Sequence, residues 1–270
     1  MKHPKSPAPD REKLEKLYKK LNRRVLVHPD PLEFLYRYDN VKDREIAGLV
    51  AASLAYGNVK QIIRSVASVL DIVGPNPADY LSRTRESTLY KRLEGFKHRW
   101  STGDEVASLL VGAKRVVKKY GGLENCFVAG IDDGCDTVLP ALSAFATELT
   151  TAAGGCCASL VPAPEKGSAC KRLNLFIKWM VRADDVDPGG WGRVAPAKLI
   201  IPLDTHMYRI CCALGMTARK QADMKTALEI TAAFGTLSPG DPTKYDFALT
   251  RLGIRDDLEI GPFLKECGVE

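Results

Sequence analysis

No stretch of this chain is long and apolar enough to cross a bilayer. Its longest nearly uninterrupted apolar run, Ala47 to Tyr56, is about ten residues, roughly half of what a spanning helix requires. The opening MKHPKSPAPD is basic and Pro-rich and lacks the apolar h-region of a secretory signal, so a soluble, cytoplasmic protein is expected. The eight cysteines, at 126, 135, 156, 157, 170, 211, 212 and 267, include no C-x-x-C pair. That removes the zinc-ribbon and thioredoxin spacings and leaves buried reduced thiols as the expectation. No segment alternates apolar and polar residues with the period of two of a half-buried strand, and no internal repeat is visible. An excess of one charge is also missing from most of the chain. The net charge of +6 resides in residues 1–24, which hold nine Lys/Arg against three Asp/Glu, and the remainder is neutral.

Within that neutral remainder the charge is segregated. Arg83 to Lys119 carries ten basic and four acidic residues, whereas Gly121 to Ala163 carries five acidic and no basic ones. A basic face is possible on composition, and a solvated helix face is the commoner outcome of such runs. With 45% hydrophobic and 27% charged residues over 270 positions, the chain can bury a sizeable core and is not disordered as its main state. Asp10 is placed to cap a helix whose apolar residues Leu14, Leu17, Leu21 and Val25 recur at spacings of three and four. The same periodicity runs through 44–56, 59–73, 104–120, 137–149, 169–182, 205–214, 222–234 and 244–252. An all-α chain of many short helices is therefore expected, with a flexible basic tail over 1–9 and a single domain over 10–270. Pro/Gly clusters at 75–77, 121–122, 154–155, 162–164, 188–190 and 239–242 mark the turns.

Chemistry is concentrated between Pro162 and Gly215. Pro202-Leu203-Asp204-Thr205-His206-Met207-Tyr208-Arg209 resembles the P-x-D-T-H-x-x-R element of the helix-hairpin-helix DNA glycosylase superfamily, in which an Asp at a helix start sits beside the flipped nucleotide. Upstream, Gly167-Ser168-Ala169-Cys170-Lys171 is similar to the hairpin end, G-x-x-x-K, that opens another helix in that superfamily. Ser53-Leu54-Ala55-Tyr56-Gly57-Asn58-Val59 looks like the turn that fills the gap left by an extruded base, with Tyr56 at the wedge position. Asp246 to Gly253 is similar to the C-terminal helix that completes the base pocket in the archaeal 8-oxoguanine branch, where Asp246 would face the lesion. The separation of Lys171 and Asp204, 33 positions, also resembles that branch. The intervening insertion, with Asp184, Asp185 and Asp187 ahead of Pro188-Gly189-Gly190-Trp191, is a candidate loop over the site. The chain also resembles a bacterial family with no assigned function.

The superfamily resemblance implies an all-α, two-lobed helical fold with the active site in the cleft between the lobes, its hairpin and catalytic segment at about 160–215. It implies a base-excision-repair DNA glycosylase with associated AP lyase activity, acting as a monomer on double-stranded DNA that carries an oxidised purine such as 8-oxoguanine or an abasic site. Lys171 and Asp204 would be catalytic, and Tyr56, Asn58, Gly167, His206, Arg209 and Asp246 would contact the DNA. The residue types suit the chemistry. Cleaving an N-glycosidic bond builds positive charge on the sugar, which a carboxylate near C1′ stabilises, and a neutral lysine amine can attack C1′ to form a Schiff base. No cofactor is expected: only Cys211, Cys212 and Cys267 follow Asp204, too few for the four-iron cluster of some relatives. Two other readings stay open. One is a non-catalytic nucleic-acid-binding protein on the same scaffold. The other is a metal-dependent hydrolase using Asp184, Asp185 and His206, for which no ligand spacing speaks.

Overall fold

The computed structural model describes residues 10–254 and 258–269, so the tail expected over 1–9 lies outside the described residues. The chain is mostly helical, and no described helix is long and apolar enough to cross a membrane. Helix α1 (Arg11–Leu21) starts where Asp10 accepts a hydrogen bond from the Glu12 backbone at 2.9 Å, and it buries Leu14, Leu17 and Leu21. It stops at Asn22, one turn before the apolar pattern does, which leaves Val25 81% exposed in the turn that follows. Helix α2 (Val41–Ser53) carries the longest apolar run and is buried on nearly every side, as expected of a helix with no polar stripe. It packs against α9 (Lys171–Val181) and the 3-10 segment Pro31–Arg37.

Helix α3 (Val59–Val73), capped by Asn58, leads to α4 (Pro77–Arg83) and α5 (Glu86–Leu93). A two-residue hairpin follows, β1 (Lys97–His98) antiparallel to β2 (Ser101–Thr102), with His98 opposite Ser101. Thr102 then closes a reciprocal capping box with Glu105 to start α6 (Gly103–Tyr120), which packs on α5 and on α8 (Leu139–Ala152), with α7 (Leu123–Val128) between them in the chain. The segregated charges partly neutralise each other across these helices, where Lys119 of the basic stretch meets Glu148 of the acidic stretch at 2.7 Å; within the basic stretch itself Arg115 meets Glu86 at 2.5 Å. Beyond α9 come α10 (Thr205–Ala213), α11 (Met224–Leu237), α12 (Asp246–Ile254) and α13 (Ile260–Glu266), with α12 packed against α1 and α10. The buried apolar side chains from Leu14 to Cys267 form one cluster.

The 183–201 insertion does not cover the site. It folds back along α9, where the Gly189 and Trp191 backbones donate to the Trp179 and Met180 carbonyls, and the Trp191 indole donates to Glu45 of α2 at 2.8 Å. Charge holds it there. Arg182, 4% exposed, contacts Asp187 and also pairs with Asp184 and Asp241, both at 2.8 Å. One turn earlier the Lys178 ammonium, buried beneath α12, sits 2.8 Å from Asp246 and 3.5 Å from Asp187. Burial disfavours the Lys178 charge, but Asp187 and Asp246 outweigh it and hold the group above the ordinary lysine value. Burial likewise pushes Asp187 above the usual carboxylate range despite the two cations against it.

Removing one partner of such a network strands the other in a medium that solvates it poorly. Asp187→Ala is expected to lower unfolding free energy by about 3–5 kcal/mol, read from urea denaturation. A loss below about 1 kcal/mol would mean that this network does not hold the insertion to α9.

Candidate active site

Six of the eight residues that the sequence pointed to line one cleft of about 630 Å³: Lys171, Asp204, Tyr56, Asn58, His206 and Asp246. The walls come from the α2–α3 turn, the start of α9, the start of α10 and one face of α12. Gly167 and Arg209 are not among the lining residues. Gly167 ends the 3-10 turn Pro164–Lys166 in the left-handed conformation and its carbonyl accepts from the Met224 backbone, while Arg209 is exposed on α10.

Lys171 is the first residue of α9. The residue before it, Cys170, has a φ of 47°, and its thiol donates to the Pro162 and Ser168 carbonyls, so the chain turns sharply before the helix starts. Burial raises this thiol to about 11, which suits a packing role rather than a nucleophile. The Lys171 ammonium, one-third exposed, lies 3.5 Å from Asp204 Oδ2 and 3.4 Å from the Ala55 carbonyl. Asp204 divides its oxygens: Oδ1 caps α10 by accepting from the Met207 backbone at 2.8 Å, and Oδ2 faces Lys171. One side chain thus both caps the helix and faces the lysine.

Lys178 and Asp246 also line this cleft, so a buried ammonium–carboxylate pair forms part of its wall. Sequence reasoning missed Lys178, although a lysine inside the apolar stretch Leu175 to Val181, seven positions after Lys171 and hence on the same helix face, was a signal. His206 is exposed at the rim and packs on Gly253 of α12, where a Cβ would stand 3.0 Å from the imidazole Nδ1. Asn58 uses its Oδ1 to cap α3 by accepting from the Lys60 backbone at 3.0 Å. The metal-hydrolase trio is dispersed: Asp184 belongs to the Arg182 network, Asp185 is exposed and lines no part of the cleft, and only His206 lies at the rim. Among the described residues no three His, Cys, Asp or Glu side chains are grouped as a metal site.

Tyr56 is half-buried and anchored. Its hydroxyl donates within reach of the His98 carbonyl at 3.0 Å and the Ser101 Oγ at 2.8 Å, which ties the α2–α3 turn to both strands of the hairpin. His98 completes the tie from inside: its ring, fully buried, bonds Ser65 Oγ at 2.9 Å and the Tyr56 carbonyl at 3.1 Å. Burial holds His98 below the ordinary histidine value of 6.5, against the pull of the Tyr56 and Leu54 carbonyls. The neutral ring therefore contributes its full stability above pH 6.5 and loses it as the pH falls below that value, because the unfolded chain takes up the proton first. The stability gap between the wild type and His98→Gln is expected to shrink between pH 7.5 and 5 in thermal melts. A gap independent of pH would contradict a buried neutral ring.

A family model described as a protein of unknown function (DUF2400) matches residues 30–255, a span that contains every cleft-lining residue except Pro29. No curated protein and no solved structure matches the chain.

Proposed function

The chain belongs to the DUF2400 family, and we propose that its cleft is the active site of a lysine-dependent DNA glycosylase with AP lyase activity. The observation that carries this reading is the contact of Lys171 Nζ with Asp204 Oδ2, 3.5 Å apart in a cleft of about 630 Å³. That volume is in the range of roughly 300–1,000 Å³ found for small-molecule sites, enough for one extruded nucleoside. Two helix starts distant in sequence bring the pair together, as the resemblance to the helix-hairpin-helix glycosylases implies. The two-lobed arrangement of that superfamily, with double-stranded DNA across the cleft mouth, belongs to the same proposal.

The chemistry follows from the two side chains. Asp204 accepts a proton from the Lys171 ammonium, which frees the amine. The C1′–N bond breaks with its electron pair leaving on the base, which takes up the proton held by Asp204 and so returns that group to its carboxylate form, and the Lys171 nitrogen bonds to C1′. The Asp204 carboxylate stabilises the positive charge that the sugar carries in the transition state. Opening of the sugar ring gives an imine, and loss of a C2′ proton expels the 3′ phosphate by β-elimination. The Lys178–Asp246 pair offers the edge of an extruded base one donor and one acceptor, which suits an oxidised purine such as 8-oxoguanine.

The test is borohydride reduction on duplexes that carry single lesions or an abasic site. The wild type is expected to become covalently linked. Lys171→Gln should bind the same duplex and fail to link, and Asp204→Asn should lose at least about 100–1,000-fold in base excision with little change in binding. Normal trapping by Lys171→Gln would place the nucleophile elsewhere. A wild type that binds the duplexes but neither cleaves nor links would instead support the non-catalytic binding protein.

A further inference from the structure

Most aromatic side chains of this chain are buried, and Trp100 is the large exception. It is 70% exposed, whereas Trp179 and Trp191 are 2% and 3% exposed. It stands with Arg99 at the tip of the β1–β2 hairpin, where Arg99 adopts the left-handed φ of 56° that L residues rarely accept. The tip is nevertheless held firmly. Buried His98 anchors one strand, the Tyr56 hydroxyl reaches both, and the Arg99 side chain packs on Gly57, where a Cβ would come within 2.7 Å of it. Gly57 itself lines the cleft, so the tip stands at the cleft mouth.

Four side chains meet there in pairwise contact. The Arg172 guanidinium lies 5.1 Å from the Tyr56 ring centre, the Tyr56 and Trp100 rings are 6.0 Å apart and 27° from parallel, and the Arg99 guanidinium lies 4.3 Å from the Trp100 ring centre. Among the described residues neither Arg99 nor Arg172 has a carboxylate within ion-pair distance; Arg172 donates only to the Ser53 and Ser159 carbonyls. An exposed indole flanked by a free guanidinium offers a π face to a nucleobase and a positive charge to the phosphate beside it. Such stacking tolerates every base, because each has a π face.

We propose that Trp100, backed by Tyr56 and Arg99, is a stacking ledge for a base of the nucleic-acid strand next to the nucleotide held in the cleft. This rests on the nucleic-acid reading of the cleft given above. It also assigns Tyr56 a part that its anchored hydroxyl suits: it supports the ledge and does not itself leave the protein surface.

Because the other two tryptophans are buried, the acrylamide-accessible emission of the protein reports on Trp100. On adding a duplex that carries a tetrahydrofuran abasic analogue, wild-type emission should fall and acrylamide quenching should drop by at least about twofold. Trp100→Ala should bind a fluorescein-labelled copy of that duplex roughly 5- to 150-fold more weakly by anisotropy, the range one stacked base spans, and Trp100→Phe should recover most of the loss. If this duplex binds and a duplex with a true abasic site is trapped by borohydride, while Trp100 stays accessible and Trp100→Ala binds within twofold of the wild type, the ledge is wrong and the catalytic reading stands. If the wild type neither binds nor is trapped, both fall. Shielding of Trp100 that depends on protein concentration in the absence of DNA would make the indole a contact between copies of this chain and overturn the ledge.

Discussion

Helix α9 is fixed by two cations that are almost wholly buried. Lys178 and Arg182, on successive turns of it, are nearly or wholly buried and are held by Asp187, Asp246, Asp184 and Asp241 from three other parts of the chain. A buried ion is tolerated only when its partners meet it in good geometry, so this network leaves α9 little freedom to slide or rotate. The insertion after α9, the start of α12 and the segment before it are all docked on the same charges. Lys171 lies seven residues before Lys178, about 10 Å along the same helix face, and inherits its position from them.

The opposite wall of the cleft is set by a different economy. Asp204 must cap α10, because the first backbone N–H groups of any helix lack partners, and one carboxylate oxygen suffices for that. The second oxygen is then directed across the cleft to the Lys171 ammonium. The catalytic proposal therefore asks nothing of Asp204 that the fold does not already impose. The same holds at the rim, where the fully buried His98 and the hydroxyl of Tyr56 set the hairpin that presents Arg99 and Trp100.

Much of the fold was legible because long amphipathic helices advertise themselves by period: α1, α3, α6 and α11 lie where apolar residues recur every three to four positions. Helices α4, α5, α7 and α13, of six to eight residues, complete about two turns and are too short to establish a period, so they passed unnoticed. The hairpin has two residues per strand, fewer than any alternation requires. Val25 kept the helical spacing after the helix had ended, since a pattern of apolar residues does not record where Asn22 stops the hydrogen bonding. At the site, the neighbours of Lys171 and Asp204 could be named from motifs, whereas Lys178, although its place in an apolar stretch marked it, could not be given partners from sequence because Asp187 and Asp246 arrive from elsewhere in the chain. The insertion was misread for the same reason: three aspartates look like solvent-facing loop until Arg182 is seen to gather two of them.

Two lysines line the cleft, and the account commits to one of them. The most direct measurement is mass-spectrometric mapping of the borohydride-reduced adduct after trypsin digestion. An adduct on Lys171 blocks cleavage there and appears on the peptide spanning 167–172, which is the predicted result. An adduct within 173–182, on Lys178, or no adduct on either peptide, would contradict the assignment of Lys171 as the nucleophile.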